Sequence, residues 1–224
     1  MRAGVLATLL ALAGSWVAGG VAAQDPRDMA DRVPGRDMEP VSMSTAQLLR
    51  ELREAWFAAV EEKAWIDVGL ARLADLEARA DVSPALIGAY RGAFDLLRSK
   101  HTLAPLRRLR HARAGLAALD AAVAAAPDQA EVRYVRLMSC YYLPFFFGRG
   151  DSVAEDFRSL GTLLPGVQGA YPTAWWEAAV RFVLEHGDLD AGQAEALERS
   201  LNAARAPGTT QAPDTTQAVE GGAP

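Results

Sequence analysis

The sequence predicts an all-α fold of about eight helices, paired as antiparallel hairpins and stacked side by side. Three observations carry that expectation. Apolar residues recur every three to four positions through residues 44–206, and no stretch shows convincing strand alternation. Proline, glycine or a capping side chain punctuates the pattern at short intervals. Connections this short favour antiparallel neighbours, either as tetratricopeptide-like hairpins or as an irregular bundle.

Ser44 and Gln47 have capping-box spacing and open a helix through Leu48, Leu49, Leu52, Trp56, Ala59 and Val60. A second stripe runs through Trp65, Val68, Ala71, Leu73 and Leu76. Ser83 before Pro84 sets a capping hydroxyl ahead of a first-turn proline, and Ile87, Tyr90, Phe94 and Leu97 follow. Pro105 starts the next helix, through Leu109, Leu116, Leu119 and Val123, and Pro127 ends it. Asp128 with Glu131 forms another capping box ahead of Val132, Val135, Leu137 and Met138, up to Pro144. Asp151 caps a helix holding Val153, Phe157, Leu160 and Leu164. Thr173 opens one with Trp175, Trp176, Val180, Phe182 and Val183, and Asp190 with Gln193 opens the last, through Ala194, Leu197 and Leu201.

The ends differ in kind. Residues 1–23 carry Arg2, an apolar stretch from Val5 to Val17, and small side chains up to Ala23. That is the layout of a secretory signal peptide cleaved after Ala23. The stretch is interrupted by Thr8, Gly14 and Ser15, so it is short and weakly apolar for a membrane span. Export to the periplasm or beyond the cell is expected. Residues 24–43 read as a flexible lead-in, and residues 207–224, rich in Thr, Pro and Gly, as a disordered tail unable to offset its ordering entropy. The 224 residues are 50% hydrophobic, enough for one substantial core. With 23 basic against 28 acidic side chains and a net charge of −5, the chain lacks the basic excess of a nucleic-acid binder.

Gly115, Leu119, Ala122, Val123 and Pro127, followed by Asp128, Gln129, Ala130 and Glu131, resemble the second helix of a tetratricopeptide repeat running into the next repeat. The likeness covers about residues 115–142 of the sequence. Arg133 stands where the large aromatic is usual, and Tyr134 comes one place late. The segment from Ala89 and Tyr90 to Leu143 and Pro144 is also similar to small exported bacterial proteins of unassigned function. Either resemblance implies a scaffold or adaptor without catalysis.

Several constellations carry possible chemistry. Arg107, Arg108, Arg110, His111 and Arg113 put five basic residues into seven, suited to a phosphate, a lipid headgroup or an acidic partner. The alternative is a solvated helix face opposite Leu106, Leu109 and Leu116. Arg133 and Arg136 share a face with the acids Asp151, Glu155 and Asp156 in reach, as an interhelical ion-pair network or as a polar groove. Tyr141, Tyr142 and Phe145 to Phe147 form an aromatic loop that either docks a partner or plugs the core. Trp175 and Trp176 point about 100° apart, so one of them is free to reach a groove.

No metal or cofactor is expected. His101, His111 and His186 are scattered, Cys140 reads as a buried small hydrophobe, and no catalytic or nucleotide motif occurs. The leading expectation is an exported, non-catalytic adaptor that binds a protein or peptide in a groove lined by Arg133, Arg136, Tyr141, Tyr142, Trp175 and Trp176. The alternative binds an anionic ligand or envelope surface through Arg107, Arg110 and Arg113. A hydrolase with dispersed carboxylates is the third.

Overall fold

The computed structural model describes residues 43–205. It runs α1 (Thr45–Ala58), α2 (Ala64–Glu77), α3 (Pro84–His101), α4 (Pro105–Ala125), α5 (Ala130–Tyr141), a 3-10 turn (Phe145–Phe147), α6 (Gly150–Leu163), a second 3-10 turn (Leu164–Val167), α7 (Thr173–His186) and α8 (Ala191–Arg205). The fold is all-α, with eight α-helices and no strand among the described residues. The expected leader and the lead-in up to residue 42 lie outside the described residues, as do Ala206 and the tail.

Each helix packs against its successor to give four hairpins in sequence, α1 with α2, α3 with α4, α5 with α6, and α7 with α8. α3 is the hub of the first half, touching α1, α2, α4 and α5, while α6 leads on to α7 and α8. One hydrophobic core runs through the stack from Leu48 in α1 to Leu201 in α8. Trp56 meets Tyr90 edge-on at 5.5 Å between ring centroids, and Phe157 stacks on Phe182 at 5.9 Å. These pairs add directional packing to the burial.

The ends of the helices follow the sequence signals in part. The Gln47 amide donates to Ser44 Oγ at 3.2 Å. At the start of α8 the Gln193 amide donates to Asp190 Oδ1 at 2.9 Å, and the Gln193 side chain accepts from the Asp190 amide. Both satisfy otherwise orphaned first-turn groups. Three expected caps are corrected. Gln129, not Asp128, precedes α5, and Glu131 turns inward instead of capping. Asp151 lies inside the first turn of α6, which opens after Arg149, and Ser83 stands just before α3 without its hydroxyl making a capping hydrogen bond, whereas Thr173 opens α7 as expected. Gly148 adopts φ 64°, a left-handed turn that glycine enters without strain, and it redirects the chain into α6.

The α3–α4 hairpin is the closest pairing. A Cβ built on Gly92 would lie 2.8 Å from the Gly115 carbonyl oxygen, and one on Gly115 would lie 2.6 Å from the Gly92 carbonyl oxygen. Backbone meets backbone there, and neither side has a flexible group that can yield. Gly92→Ala or Gly115→Ala is therefore expected to lose about 1–3 kcal/mol of stability by overpacking, despite alanine's better helix propensity. Gly150→Ala, where a Cβ meets nothing within 4 Å, is the neutral control in the same urea-unfolding series.

Candidate functional site

Two sets of charged residues occupy opposite situations, one sealed inside the stack and one standing free on α4. Arg53 on α1 is buried with Glu131 on α5. Its Nε donates to Oε1 at 2.7 Å and its Nη2 to Oε2 at 2.8 Å, a two-pronged pair. The Tyr90 hydroxyl of α3 donates to the same Oε1 at 2.7 Å. Burial works against the Arg53 charge, but the Glu131 carboxylate outweighs it and holds the guanidinium protonated beyond its ordinary range. Burial, with the neighbouring Glu131 charge, pushes the Tyr90 hydroxyl well above its usual value, so it stays a donor. The other side of Arg53 faces the rings of Trp175, at 5.7 Å, and Tyr171, at 6.0 Å.

The anticipated groove around Arg133 and Arg136 is corrected by a second buried network. Arg136 Nε and Nη2 clamp the fully buried Asp156, each at 2.8 Å, and Nη2 also reaches Glu155 at 3.0 Å. Arg133 Nη1 donates to Asp156 at 3.0 Å and Glu155 at 3.1 Å, and its Nε donates to the Pro127 carbonyl. Of the two sequence readings, the interhelical ion-pair network is the one that forms, without Asp151, which stays exposed. Arg133 does border a shallow depression of about 350 Å³ with Asp128, Arg158 and Gln193, but its guanidinium is turned to the carboxylates.

Trp175 and Trp176 are also removed from the surface. They point apart as expected, yet α7 is enclosed on both sides: Tyr134 and Tyr171 cover Trp175, and Trp176 Nε1 donates to the Leu164 carbonyl at 2.8 Å. Neither lines a groove. The aromatic loop divides. Tyr141 packs against Phe157 and Phe182, and Tyr142 is half-buried beside it, whereas Phe145 is 87% and Phe146 71% exposed. Arg149, just beyond the loop, donates to Asp120 on α4 at 2.9 Å and fastens the turn there. Cys140 is buried, as expected, and burial raises its thiol.

The basic cluster on α4 stands free. The side chains of Arg107, Arg108, Arg110 and Arg113 are exposed and make no ion pair or hydrogen bond to another described residue; His111 alone is drawn inward, 3.6 Å from Asp95 of α3. The expected burial of Leu106 and Leu109 behind this cluster is corrected, because no residue of α4 before Ala112 is buried. Leu103 is 99%, Leu106 84% and Leu109 44% exposed. The overhang is held in place: His101 meets the Ala59 carbonyl at 2.8 Å, and the Thr102 hydroxyl donates to the Arg98 carbonyl at 2.7 Å. Sequence periodicity missed this because it counts apolar positions without knowing which of them a neighbouring element covers.

No group of His, Cys, Asp or Glu among the described residues is arranged to hold a metal ion, and no described helix is long and apolar enough to cross a membrane. No protein-family model, curated protein or solved structure matches this chain.

The buried network sets two expectations for stability. Asp156→Asn leaves Arg133 and Arg136 short of a charge partner inside the fold and is expected to lose about 3–5 kcal/mol in urea unfolding. Partial burial opposes the charges of Asp120 and Glu155, but Arg149, Arg136 and Arg133 outweigh it, so both carboxyls are held below their usual values. Their stabilisation is complete above the unfolded-state carboxylate range and is lost as pH falls through the lower folded-state values. Burial raises Asp156, which contributes with the opposite sign. Arg149→Ala is expected to flatten the acid limb of a plot of unfolding midpoint against pH.

Proposed function

We propose that this protein is an exported, non-catalytic helical binding protein, and that it engages an anionic partner through Arg107, Arg110 and Arg113. The single observation that carries the reading is the contrast in pairing. The arginines at 53, 133 and 136 are buried and bound to carboxylates, while those on the first turns of α4 are exposed and unpaired. No acid stands in the first turn of α4. Cations at a helix N-terminus oppose its dipole, so the cluster costs the isolated fold a little stability that a bound anion restores. Export rests on the leader-like residues 1–23.

The hydrolase alternative finds less support. Glu131 and Asp156, the most enclosed carboxylates, are clamped by guanidinium groups and walled off from substrate. The adaptor reading keeps one feature, the exposed Phe145 and Phe146 at the tip of the aromatic loop, which suit a protein or peptide partner. The succession of helix hairpins, with the small Gly115 at the closest approach, accords with the tetratricopeptide-like pattern on which that reading rests.

Titration with inorganic polyphosphate and with poly-glutamate tests the anion reading. Binding that weakens with added salt, and that falls about tenfold or more in an Arg110→Glu, Arg113→Glu double variant with an unchanged unfolding midpoint, is the expected result. Equal affinity in both forms overturns it.

A further inference from the structure

The exposed leucines of α4 have no place in a site that binds a soluble anion. Leu106, Leu109 and Arg113 are spaced three, four and seven apart, so they share one side of the helix, with Arg110 at its edge. Leu103, in the turn before α4, extends the apolar line outward. Apolar and cationic side chains on the same exposed side are what an interfacial helix presents to an anionic bilayer: leucines enter the acyl boundary while arginines stay among the headgroups.

A second observation enlarges that face. Asp120 lies seven residues beyond Arg113 and fourteen beyond Leu106, on the same side of α4. Its carboxylate holds Arg149, so the turn that exposes Phe145 and Phe146 is fastened beside this side of the helix. The apolar groups thus come from two elements that are far apart in sequence and are both rigidly held. Aromatic rings at a membrane interface serve the same anchoring role as the leucines.

We infer that this side of the molecule docks on the surface of an anionic phospholipid bilayer, with Leu103, Leu106, Phe145 and Phe146 entering the interface and Arg110 and Arg113 contacting lipid phosphates. The inference rests on the anion-binding reading above and commits it to a lipid source. Charge complementarity selects the occupant. A soluble acidic polymer engages the arginines alone and leaves the leucines in water, whereas a bilayer satisfies both sets at once. Insertion is shallow, because no described helix can span.

The test uses the processed chain beginning at Gln24 and vesicles of phosphatidylcholine with or without phosphatidylglycerol. Co-sedimentation is expected only with the anionic vesicles. The Arg110→Glu, Arg113→Glu variant is expected to lose about tenfold or more in partitioning. A Leu106→Ser, Leu109→Ser variant is expected to lose vesicle binding to a similar degree and to keep polyphosphate binding. Leu106→Trp supplies a direct reading of depth: brominated lipid quenches its fluorescence well beyond the quenching of the parent chain. Polyphosphate binding without vesicle binding overturns the bilayer and leaves the anion site standing. Vesicle binding unaffected by the leucine substitutions overturns the insertion, and loss of neither ligand on charge reversal overturns both readings.

Discussion

A carboxylate taken out of water must be given both charge and hydrogen bonds by the protein, and Glu131 receives them from helices remote in sequence. Arg53 lies 78 residues before it and Tyr90 lies 41 before it. A buried charge that loses its partner costs about 3–5 kcal/mol. The positions of α1, α3 and α5 are therefore tied to one another within hydrogen-bonding distance. The rings of Trp175 and Tyr171 against Arg53 bring α7 into the same arrangement. Alternating members of the hairpin stack converge on one point. The interior that an open stack would present as a groove is filled by its own side chains, which is why the six residues expected to line a binding site mostly ended up in the core.

The same constraint sets two groups of arginines apart. Those near the convergence are neutralised by Glu131, Glu155, Asp156 or Asp120, and they act as fasteners between helices. Those on the first turns of α4 are exposed, and no carboxylate pairs with them. Folding gives the exposed set nothing in exchange for its mutual repulsion and its clash with the helix dipole. Leu103 and Leu106 are in the same position, since a leucine exposed beside them gains nothing from folding. Together they make the first turns of α4 an exposed patch, both apolar and cationic, that the core does not use.

Much of the fold was legible in the sequence because helix periodicity and proline punctuation are local. The starts at Pro84 and Pro105, the caps at Ser44 and Asp190, and the stripe through Leu119 and Val123 all follow from neighbours a few residues away. What failed was non-local. Glu131 has the spacing of a capping residue, and only the arrival of Arg53 and Tyr90 turns it inward. Trp175 and Trp176 point apart, and whether one is exposed depends on how many elements surround α7. Leu106 and Leu109 are apolar positions of α4, yet burial on that helix starts only at Ala112 and both stay exposed. For Arg133 and Arg136 the sequence left a pairing with Glu155 and Asp156 and a polar groove both open, and the pairing forms across the α5–α6 hairpin, itself a short-range feature. The division of the aromatic loop, with Tyr141 inside and Phe145 outside, has no counterpart in composition at all.

The acidic total of the chain sharpens the consequence of the basic patch. With a net charge of −5, most of the surface is repelled by an anionic bilayer, and the repulsion extends about a Debye length, roughly 8 Å at physiological salt. The side bearing Arg110 and Arg113 is attracted, so the encounter is oriented before any apolar group touches the interface. The leucines and the two phenylalanines then add a short-range term that salt does not screen. Because the α3–α4 turn is pinned to the Ala59 carbonyl and the aromatic turn to Asp120, little side-chain or loop ordering remains to oppose docking. The two pinned turns thus supply the rigidity that lets two small exposed patches act together.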